Sequence, residues 1–284
     1  MKIVRFGDAG RERPGFIDSS GTLRDLSGVL DDWSGTQLGP SELERIAREA
    51  PDRYPAVDSG TRMGMPLTAV RKFIAIGLNY KDHAEEAKLP IPSEPVIFCK
   101  ATSSLSGPND DVILPRGSKK SDWEVELGVV IGTTSRYVEE SQALSHVAGY
   151  CLVNDLSERE FQLERGGTWD KGKGCDTFGP IGPWLVTSDE IKDPQDIDLW
   201  LEVNGIRRQD GTTRNMIFSV AKLIAYTSCF MTLEPGDIVT TGTPKGVGMG
   251  TKPTPVFLKA GDRIRVGSSK LGIQEYSVRA ASPE

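Results

Sequence analysis

Two glutamates separated by one residue, Glu124 and Glu126, lead into the apolar run of residues 122–131. Side chains alternate between the two faces of a strand, so these carboxylates would share one face while Val125 and Leu127 share the other. Like charges repel and are costly to bury. A hard divalent cation resolves both problems, because Mg²⁺ and Ca²⁺ prefer carboxylate oxygens. The alternative is that both glutamates face water on an edge strand.

A third acidic residue, Asp155, follows the apolar run of residues 147–153, where a strand end would present its side chain to a site. It would complete part of an octahedron whose remaining positions are taken by water and substrate. A capping box at residues 157–160 predicts a short helix that places Arg159 and Gln162 on one face. These two donors would then point toward the metal. The alternative is that Arg159 pairs with an acidic neighbour at the surface.

His83 and Glu86 lie three residues apart in a segment that we predict to be helical, with Asp82 as its N-cap. A carboxylate that orients an imidazole is a common way to build a general base near neutral pH. The chain has only two histidines, which strengthens this interpretation over that of a surface ion pair. We interpret the other histidine, His146, as structural.

Two glycine-containing segments carry further candidates. Lys173 lies between Gly172 and Gly174, which indicates tight backbone turning around a fixed cation. Thr243 lies in the glycine-rich loop of residues 240–248, which follows a predicted strand but lacks the spacing of a phosphate-binding Walker A loop. The amides and the Thr243 hydroxyl of this loop could hold a carboxylate.

Short apolar segments typical of strands surround these residues. From residue 72 onward they occupy residues 72–77, 95–100, 124–131, 147–153, 184–186, 199–203, 238–241 and 263–266. The clearest helix covers residues 216–231, where apolar side chains recur at helical spacing. Irregularly spaced strands with few helices do not fit a doubly wound sheet and predict a mainly β, α+β fold.

Residues 1–70 are predicted to form a small N-terminal domain, and residues 71–284 the main domain. The first part contains short strands near residues 3–6 and 14–18 and a helix that a capping box of Ser41 and Glu44 would open. Nothing in this part of the sequence suggests chemistry, so the candidate site belongs to the second domain.

Composition limits the class of partner. The 284 residues include 34 Lys+Arg and 40 Asp+Glu, a formal net charge of −6. This acidic balance without basic runs argues against nucleic acid or a membrane surface as the partner, and no apolar run approaches the roughly 18 residues of a membrane span. The 4 cysteines are scattered. This pattern nearly excludes a Cys/His zinc site and is typical of a cytoplasmic protein with reduced thiols.

Taken together, these motifs resemble the fumarylacetoacetate hydrolase superfamily over roughly residues 70–280. The matching elements occur in order, as Gly-Leu-Asn-Tyr-Lys-Asp-His (77–83), Trp-Glu-Val-Glu-Leu-Gly-Val-Val-Ile-Gly (123–132), Gly-Tyr-Cys-Leu-Val-Asn-Asp (149–155), Gly-Lys-Gly-Cys-Asp-Thr-Phe-Gly-Pro (172–180) and Gly-Asp-Ile-Val-Thr-Thr-Gly-Thr-Pro-Lys-Gly-Val-Gly (236–248). Several ordered motifs in register make the resemblance specific.

The resemblance implies a catalytic domain built as a mixed β-sandwich roll, a small N-terminal domain and a homodimer. It also implies a Mg²⁺ or Mn²⁺ ion held by Glu124, Glu126 and Asp155. The remaining family positions are a water-activating dyad on a lid helix, an active-site lysine and three substrate contacts. In this sequence they match His83 with Glu86, then Lys173, then Arg159, Gln162 and Thr243.

Three hypotheses for function follow. The first is hydrolysis of a C–C bond in a 2,4-dioxo acid to give pyruvate, with His83 as the base and a sugar-derived acid such as 2,4-diketo-3-deoxy-rhamnonate or -fuconate as the preferred substrate. This preference would place the enzyme in carbohydrate catabolism. The second keeps the metal but not the water, as in a ureidoglycolate lyase, an oxaloacetate decarboxylase or a hydroxy-dienoate isomerase. The third is a non-catalytic carboxylate-binding module, which would have no need of the His83–Glu86 dyad.

Overall fold

A computed structural model describes residues 1–282 and shows that strands dominate, as the mainly β, α+β prediction expected. The strands are β1 (Lys2–Phe6), β2 (Arg13–Ile17), β3 (Leu23–Asp25), β4 (Phe73–Gly77), β5 (Val96–Lys100), β6 (Leu105–Ser106), β7 (Val112–Leu114), β8 (Ser121–Asp122), β9 (Val125–Ile131), β10 (Val147–Asn154), β11 (Ser157–Glu158), β12 (Gly179–Thr187), β13 (Asp198–Val203), β14 (Ile206–Thr212), β15 (Ile238–Thr240), β16 (Arg263–Ser268) and β17 (Gly272–Ala280).

Helices are short and lie between the strands. The α-helices are α1 (Pro40–Ala47), α2 (Lys81–Ala87), α3 (Arg159–Leu163), α4 (Asp170–Lys173) and α5 (Val220–Phe230). The 3₁₀ helices are Gly35–Leu38, Pro51–Arg53, Thr102–Ser104, Glu140–His146, Ser188–Glu190, Thr213–Asn215 and Gly248–Gly250. Within residues 1–282, no helix has the length and apolar character to cross a membrane.

The strands form two large sheets and one small ribbon. The largest sheet has the order β3-β2-β1-β12-β10-β9-β15-β4-β5, with β6 paired to β12. It is mixed, because β15 runs parallel to β4 but antiparallel to β9. The second sheet has the order β14-β13-β16-β17-β7, and β8 pairs with β11 in the ribbon. One apolar core joins the two large sheets, so the predicted sandwich is the architecture of the chain.

Strand β9 shows how the sequence assigns its two faces. Val125, Leu127 and Val129 belong to the core shared with the second sheet. The intervening residues point the other way, so Val130 packs in a separate core that β1, β2 and α1 cover, and Glu126 lies on the same side as Val130. Alternation along one strand therefore places Val125, Leu127 and Val129 on one face and Glu126 on the other.

The N-terminal residues extend the same sheet. β1 pairs antiparallel with β12 and with β2, and Trp33 is buried with its indole N–H donated to the Gly15 carbonyl at 2.9 Å. The predicted capping box is wrong in detail: Gly39 is the N-cap of α1, and Ser41 lies inside the helix after Pro40. Pro40 explains the shift, because proline suits the first helical position. The domain division at residue 70 stays a prediction.

Core packing between the two sheets gives a first testable prediction. Leu201 of β13 is 0% exposed in the core that faces β9, whereas Ile206 of β14 is 55% exposed. Leu201→Ala should lower the free energy of unfolding by about 2–5 kcal/mol, because it removes buried methyl groups and leaves a cavity. The matched change Ile206→Ala should cost less than about 1 kcal/mol. Urea denaturation measures both; equal losses would contradict the assignment of this core.

Candidate active site

The three predicted acidic residues meet at the paired ends of β9 and β10. The Asp155 amide donates to the Glu124 carbonyl at 2.9 Å, and Glu126 is the register partner of Val153. One carboxylate oxygen from each residue lies within 4.8 Å of the others. Glu124 is 6% exposed, and Glu126 and Asp155 are each 1% exposed. The alternative of two glutamates facing water on an edge strand is therefore wrong.

Two buried lysines neutralise part of this acidic cluster. Lys173 Nζ lies 2.7 Å from Glu124 Oε2 and 2.6 Å from Asp155 Oδ2. Lys100, at the end of β5, places its Nζ 2.7 Å from Asp155 Oδ1 and also donates to the Leu156 and Lys173 carbonyls. Lys173 was predicted from its flanking glycines, whereas Lys100 was missed. The signal for Lys100 was a charged residue that ends the otherwise uncharged strand 96–100.

Arg159 is buried and belongs to the same cluster. Its guanidinium donates to Asp122 Oδ2 at 2.9 Å, to Glu124 Oε1 at 2.7 Å and to Gln162 Oε1 at 3.1 Å. The surface pairing considered for Arg159 is therefore wrong. The helix α3 begins at Arg159 as expected, with the Glu158 side chain rather than that of Ser157 accepting from a backbone amide.

Asp122 is a second buried side chain whose part in the site the sequence analysis missed. It accepts hydrogen bonds from Arg159 and from the backbone amides of Trp123, Gly248 and Met249. One carboxylate therefore fixes both the guanidinium and the loop that follows β15. The two lysines, Arg159 and the four carboxylates would carry a net charge of −1 if all were ionised.

Glu126 is held by the loop after β15. Its Oε2 accepts from the Thr240 hydroxyl and from the Gly242 amide, the latter at 2.9 Å. Gly242 has φ +89°, and a Cβ there would lie 2.9 Å from the Asn79 Cβ and 3.1 Å from the Ile76 carbonyl. Only glycine combines this backbone conformation with this close approach.

The pKa values of the two glutamates move in opposite directions. Burial raises the pKa of Glu126 well above its ordinary value, and the nearby carboxylates of Asp155 and Glu124 raise it further. Burial also acts on Glu124, but Lys173 and Arg159 outweigh it and hold the pKa of Glu124 below its ordinary value. Glu126 therefore keeps its proton at pH values where Glu124 has lost its own.

The acidic cluster fits a hard divalent cation. All three side chains offer carboxylate oxygens, the ligands that Mg²⁺ and Mn²⁺ accept, and these oxygens converge. Asp155 Oδ1 is buried and receives no hydrogen bond from residues 1–282, although Lys100 Nζ lies 2.7 Å away. Lys100 already supplies a positive partner to this oxygen, so the fit to a metal rests on the convergence of the three carboxylates.

His83 and Glu86 lie on α2, and His83 lines the same cavity as Glu124 and Glu126. His83 Nδ1 lies 3.2 Å from Glu86 Oε2, and the Gly246 amide donates to Glu86 Oε1 at 3.0 Å. Both side chains are largely buried, so the surface ion pair is wrong. With Nδ1 directed at Glu86, Nε2 is the ring nitrogen suited to accept a proton.

The turn between β4 and α2 fixes the position of this dyad. Leu78 adopts a left-handed φ of +52°, and the buried Asn79 donates its side-chain amide to the Thr241 and Phe218 carbonyls at 2.9 and 3.1 Å. Tyr80 is the N-cap of α2, so Asp82 lies inside the helix rather than at its cap. Asn79 thus ties α2 to the loop that holds Glu126.

Lys173 reaches the cluster because α4 packs closely on α3. A Cβ at Gly172 would lie 2.5 Å from the Glu158 carbonyl and 2.5 Å from the Gln162 Cβ. The glycine next to Lys173 therefore permits close packing and not the tight turning that the sequence suggested. Its backbone is helical, and the helix ends at Lys173.

Thr243 lines the cavity, but its hydroxyl already has partners. Its Oγ1 donates to the Val125 carbonyl at 2.9 Å and accepts from Gln209 Nε2 at 2.8 Å. The cavity encloses about 120 Å³, and its polar wall consists of His83, Glu124, Glu126, Arg159, Gln162, Lys173 and Thr243. Seven of the nine predicted site residues thus line one cavity, while Glu86 contacts His83 and Asp155 contacts Lys173.

The chain as a whole can be compared with known proteins. The chain matches the family model "Fumarylacetoacetate (FAA) hydrolase C-terminal" over residues 72–279. It is 59% identical over 281 residues to a Burkholderia ambifaria protein named "Putative hydrolase", an alignment that covers 99% of this chain and 100% of that protein.

Three solved structures are similar over almost the whole chain. Fumarylacetoacetate hydrolase from Exiguobacterium antarcticum is 37% identical with a TM-score of 0.85, covering 99% of this chain and 100% of that one. Maleylpyruvate hydrolase from Sphingobium sp. SYK-6, in complex with manganese(II) and pyruvate, is 30% identical with a TM-score of 0.81 and the same coverage, 99% and 100%. A 5-carboxymethyl-2-hydroxymuconate delta-isomerase from Mycobacterium smegmatis is 31% identical with a TM-score of 0.77, covering 100% of each chain.

Metal binding can be tested at Glu126. Glu126→Gln should weaken Mn²⁺ or Mg²⁺ binding at least about tenfold, because the amide carries no charge. The surface change Glu275→Gln, on β17, should leave the affinity unchanged, since that side chain is 42% exposed. Titration calorimetry measures both. In the unaltered protein, Glu126 should release a proton when the metal binds. The association constant for the metal should therefore rise by up to about tenfold per pH unit, until the pH at which Glu126 is ionised in the metal-free protein. Unchanged affinity in Glu126→Gln would remove the metal assignment.

The positioning role of Asp122 predicts a stability difference between two Asp–Arg pairs. Asp122→Asn should cost about 3 kcal/mol or more in the free energy of unfolding, because it leaves the buried Arg159 without half of its counter-charge. Asp111→Asn breaks an exposed pair with Arg279 and should cost less than about 1 kcal/mol. Chemical denaturation separates the two. Equal losses would show that the buried pair is no more important than a surface one.

Proposed function

Because the chain belongs to the fumarylacetoacetate hydrolase family, we propose that it is a metal-dependent hydrolase that cleaves a C–C bond in a 2,4-dioxo acid, an acylpyruvate, to give pyruvate and a second acid. One observation carries the proposal: Glu124 and Glu126 of the buried carboxylate triad line the same cavity as His83, whose ring is held by Glu86. The triad suits a metal that binds an oxo acid, and the pair suits a base that acts on water.

We propose Mg²⁺ or Mn²⁺ as the cofactor, held by Glu124, Glu126 and Asp155. Bound there, the ion would supply a Lewis acid and a two-point anchor for the carboxylate and the 2-oxo group of the substrate. The manganese and pyruvate bound in the maleylpyruvate hydrolase structure support this proposal. Burial and the acidic neighbours raise the pKa of Glu126, so this side chain holds a proton before the metal binds. It would give up that proton as the cation binds.

His83 would act as the general base. Glu86 holds Nδ1, so Nε2 takes a proton from water, and the resulting hydroxide adds to the C4 carbonyl. The tetrahedral intermediate then breaks the C3–C4 bond, and the electron pair moves into the enolate of pyruvate. The protonated His83 returns its proton to C3. The products are pyruvate and the carboxylic acid of the acyl group, so atoms and charges balance.

The cationic side chains would stabilise the charge that develops during this reaction. Lys173 and Arg159 are fixed by buried carboxylates and line the cavity, so they require no reorganisation when negative charge appears. Gln162 accepts from Arg159 through Oε1, which leaves its amide N–H₂ as the group that can donate to substrate.

The alternatives from the sequence use the same metal ligands without a water attack. The similarity to a delta-isomerase keeps a hydroxy-dienoate isomerase as the second candidate, because the same His83 could move a proton between two carbons. We favour hydrolysis because proteins named as hydrolases, among them a maleylpyruvate hydrolase in complex with manganese(II) and pyruvate, are similar over almost the whole chain. The homodimer and the cytoplasmic location stay predictions.

The proposed role of His83 in hydrolysis can be tested by substitution. With Mn²⁺ present, His83→Ala should lower the rate of pyruvate release from acetylpyruvate by about 10²–10⁴-fold, because the general base is lost. Binding of pyruvate, followed by calorimetry, should be retained. The other histidine provides the control, and His146→Ala should leave the rate within about twofold. A His83→Ala variant that cleaves acetylpyruvate at the parent rate would refute His83 as the base.

A further inference from the structure

The lining of the cavity consists of two chemically different groups of side chains. One group, here called the polar end, is the polar wall described above. The other group, here called the apolar end, consists of Leu78, Leu89, Phe98, Leu163, Trp169 and Met249. A 2-oxo acid anchored at the acidic cluster would therefore extend its acyl arm along apolar side chains.

Two aromatic rings in this apolar end pack against each other. Phe98 and Trp169 pack edge to face with their ring centroids 5.1 Å apart at an interplanar angle of 71°. Trp169 rests on Gly77, where an added Cβ would lie 2.7 Å from the indole ring. Lys173 Nζ lies 5.2 Å from the Phe98 ring centroid, so the apolar wall begins directly beside the polar one.

Two leucines at the mouth lie open to solvent. Leu89, just beyond α2, is 49% exposed, and Leu163, the last residue of α3, is 50% exposed. Both line the cavity, so an apolar substrate group that extends out through the mouth would cover them. Removing this area from water is favourable in proportion to the area covered.

The cationic side chains that line the cavity already form ion pairs. Among its lining residues only Arg159 and Lys173 carry a permanent positive charge, and both pair with the buried carboxylates at the polar end. A second carboxylate on the arm would lie against leucine and aromatic side chains without a partner, which is costly. A polyhydroxylated arm would lose hydrogen bonds to water for the same reason.

We propose that the acyl arm of the substrate is uncharged and apolar, an alkyl or aryl group, and that Phe98, Trp169, Leu89 and Leu163 form its subsite. This inference rests on the proposed function and names the substrate class of the same site. It replaces the sugar-derived acid that the sequence analysis preferred, and it sets this chain apart from enzymes whose substrate carries a second carboxylate at the far end.

The first experiment compares arms on the unaltered, Mn²⁺-loaded protein. Release of pyruvate is followed from acetyl-, butanoyl-, hexanoyl- and benzoylpyruvate, and from analogues with a terminal carboxylate or a polyhydroxylated arm. We expect kcat/KM to rise about twofold to fourfold per added methylene, and to be lowest for the charged and polyhydroxylated arms. If a carboxylated or polyhydroxylated arm is the best substrate, the apolar subsite is wrong while the hydrolase proposal stands.

Substitutions at the mouth test the location of the subsite. Leu163→Lys should lower kcat/KM for hexanoylpyruvate and raise it for the arm with a terminal carboxylate, changing their ratio at least about fivefold. Leu89→Lys, from the opposite element, should act in the same direction and covers the case in which the first variant folds poorly. Leu144→Lys is the control, because Leu144 is 39% exposed but does not line the cavity. An unchanged ratio in both mouth variants would overturn the location.

A binding series separates failure of this inference from failure of the proposed reaction. Calorimetry on the Mn²⁺-loaded protein compares pyruvate, 2-oxohexanoate, 2-oxooctanoate and 2-oxoadipate. We expect affinity to rise with alkyl length and to fall for the dicarboxylate. If no 2,4-dioxo acid is cleaved, the hydrolase proposal fails, and this series still tests the subsite by itself. Affinity that is independent of alkyl length, or highest for 2-oxoadipate, would overturn the apolar subsite.

Discussion

Buried carboxylates are costly unless cations or protons compensate their charge, and this constraint governs the centre of the molecule. Four of them meet at the ends of β8, β9 and β10, beside Lys100, Lys173 and Arg159. The three cations leave one negative charge uncompensated if all groups ionise. Burial, together with the carboxylates of Asp155 and Glu124, raises the pKa of Glu126, and a proton on Glu126 then compensates the remaining charge. A divalent cation would replace that proton and leave positive charge for an anionic substrate.

The same constraint explains why distant segments converge. Each cation comes from a different element, Lys100 from β5, Arg159 from α3 and Lys173 from α4, so none of these segments can move without exposing or isolating a buried charge. Asp122 extends the arrangement to the loop after β15 through the Gly248 amide, and the Gly246 amide of that loop holds Glu86. The His83–Glu86 pair and the acidic cluster are therefore parts of one hydrogen-bonded structure.

Local patterns in the sequence predicted the parts of this structure that depend on neighbouring residues. Alternation predicted that Glu124 and Glu126 share one face, and helical spacing paired His83 with Glu86. Patterns that depend on distant partners were missed. Nothing near Lys100 or Asp122 in the chain reveals Asp155 or Arg159, and strands β14 and β17 carry charged residues that weaken their apolar signal. The capping box at Ser41 failed because a neighbouring proline fixed the helix start instead.

The division of the cavity into a polar and an apolar end explains why family membership indicates the type of reaction better than it indicates the substrate. The polar end contains the buried charges of Glu124, Glu126, Arg159 and Lys173, which compensate one another, so it tolerates little change. The apolar end comes from short connecting segments around Leu89, Leu163 and Trp169, which are partly exposed and free of that constraint. Replacing one of these side chains would alter the arm that fits without disturbing the buried charges. Selectivity can therefore diverge among relatives that keep the same acidic cluster, and the lining of the apolar end is the feature from which a substrate should be inferred.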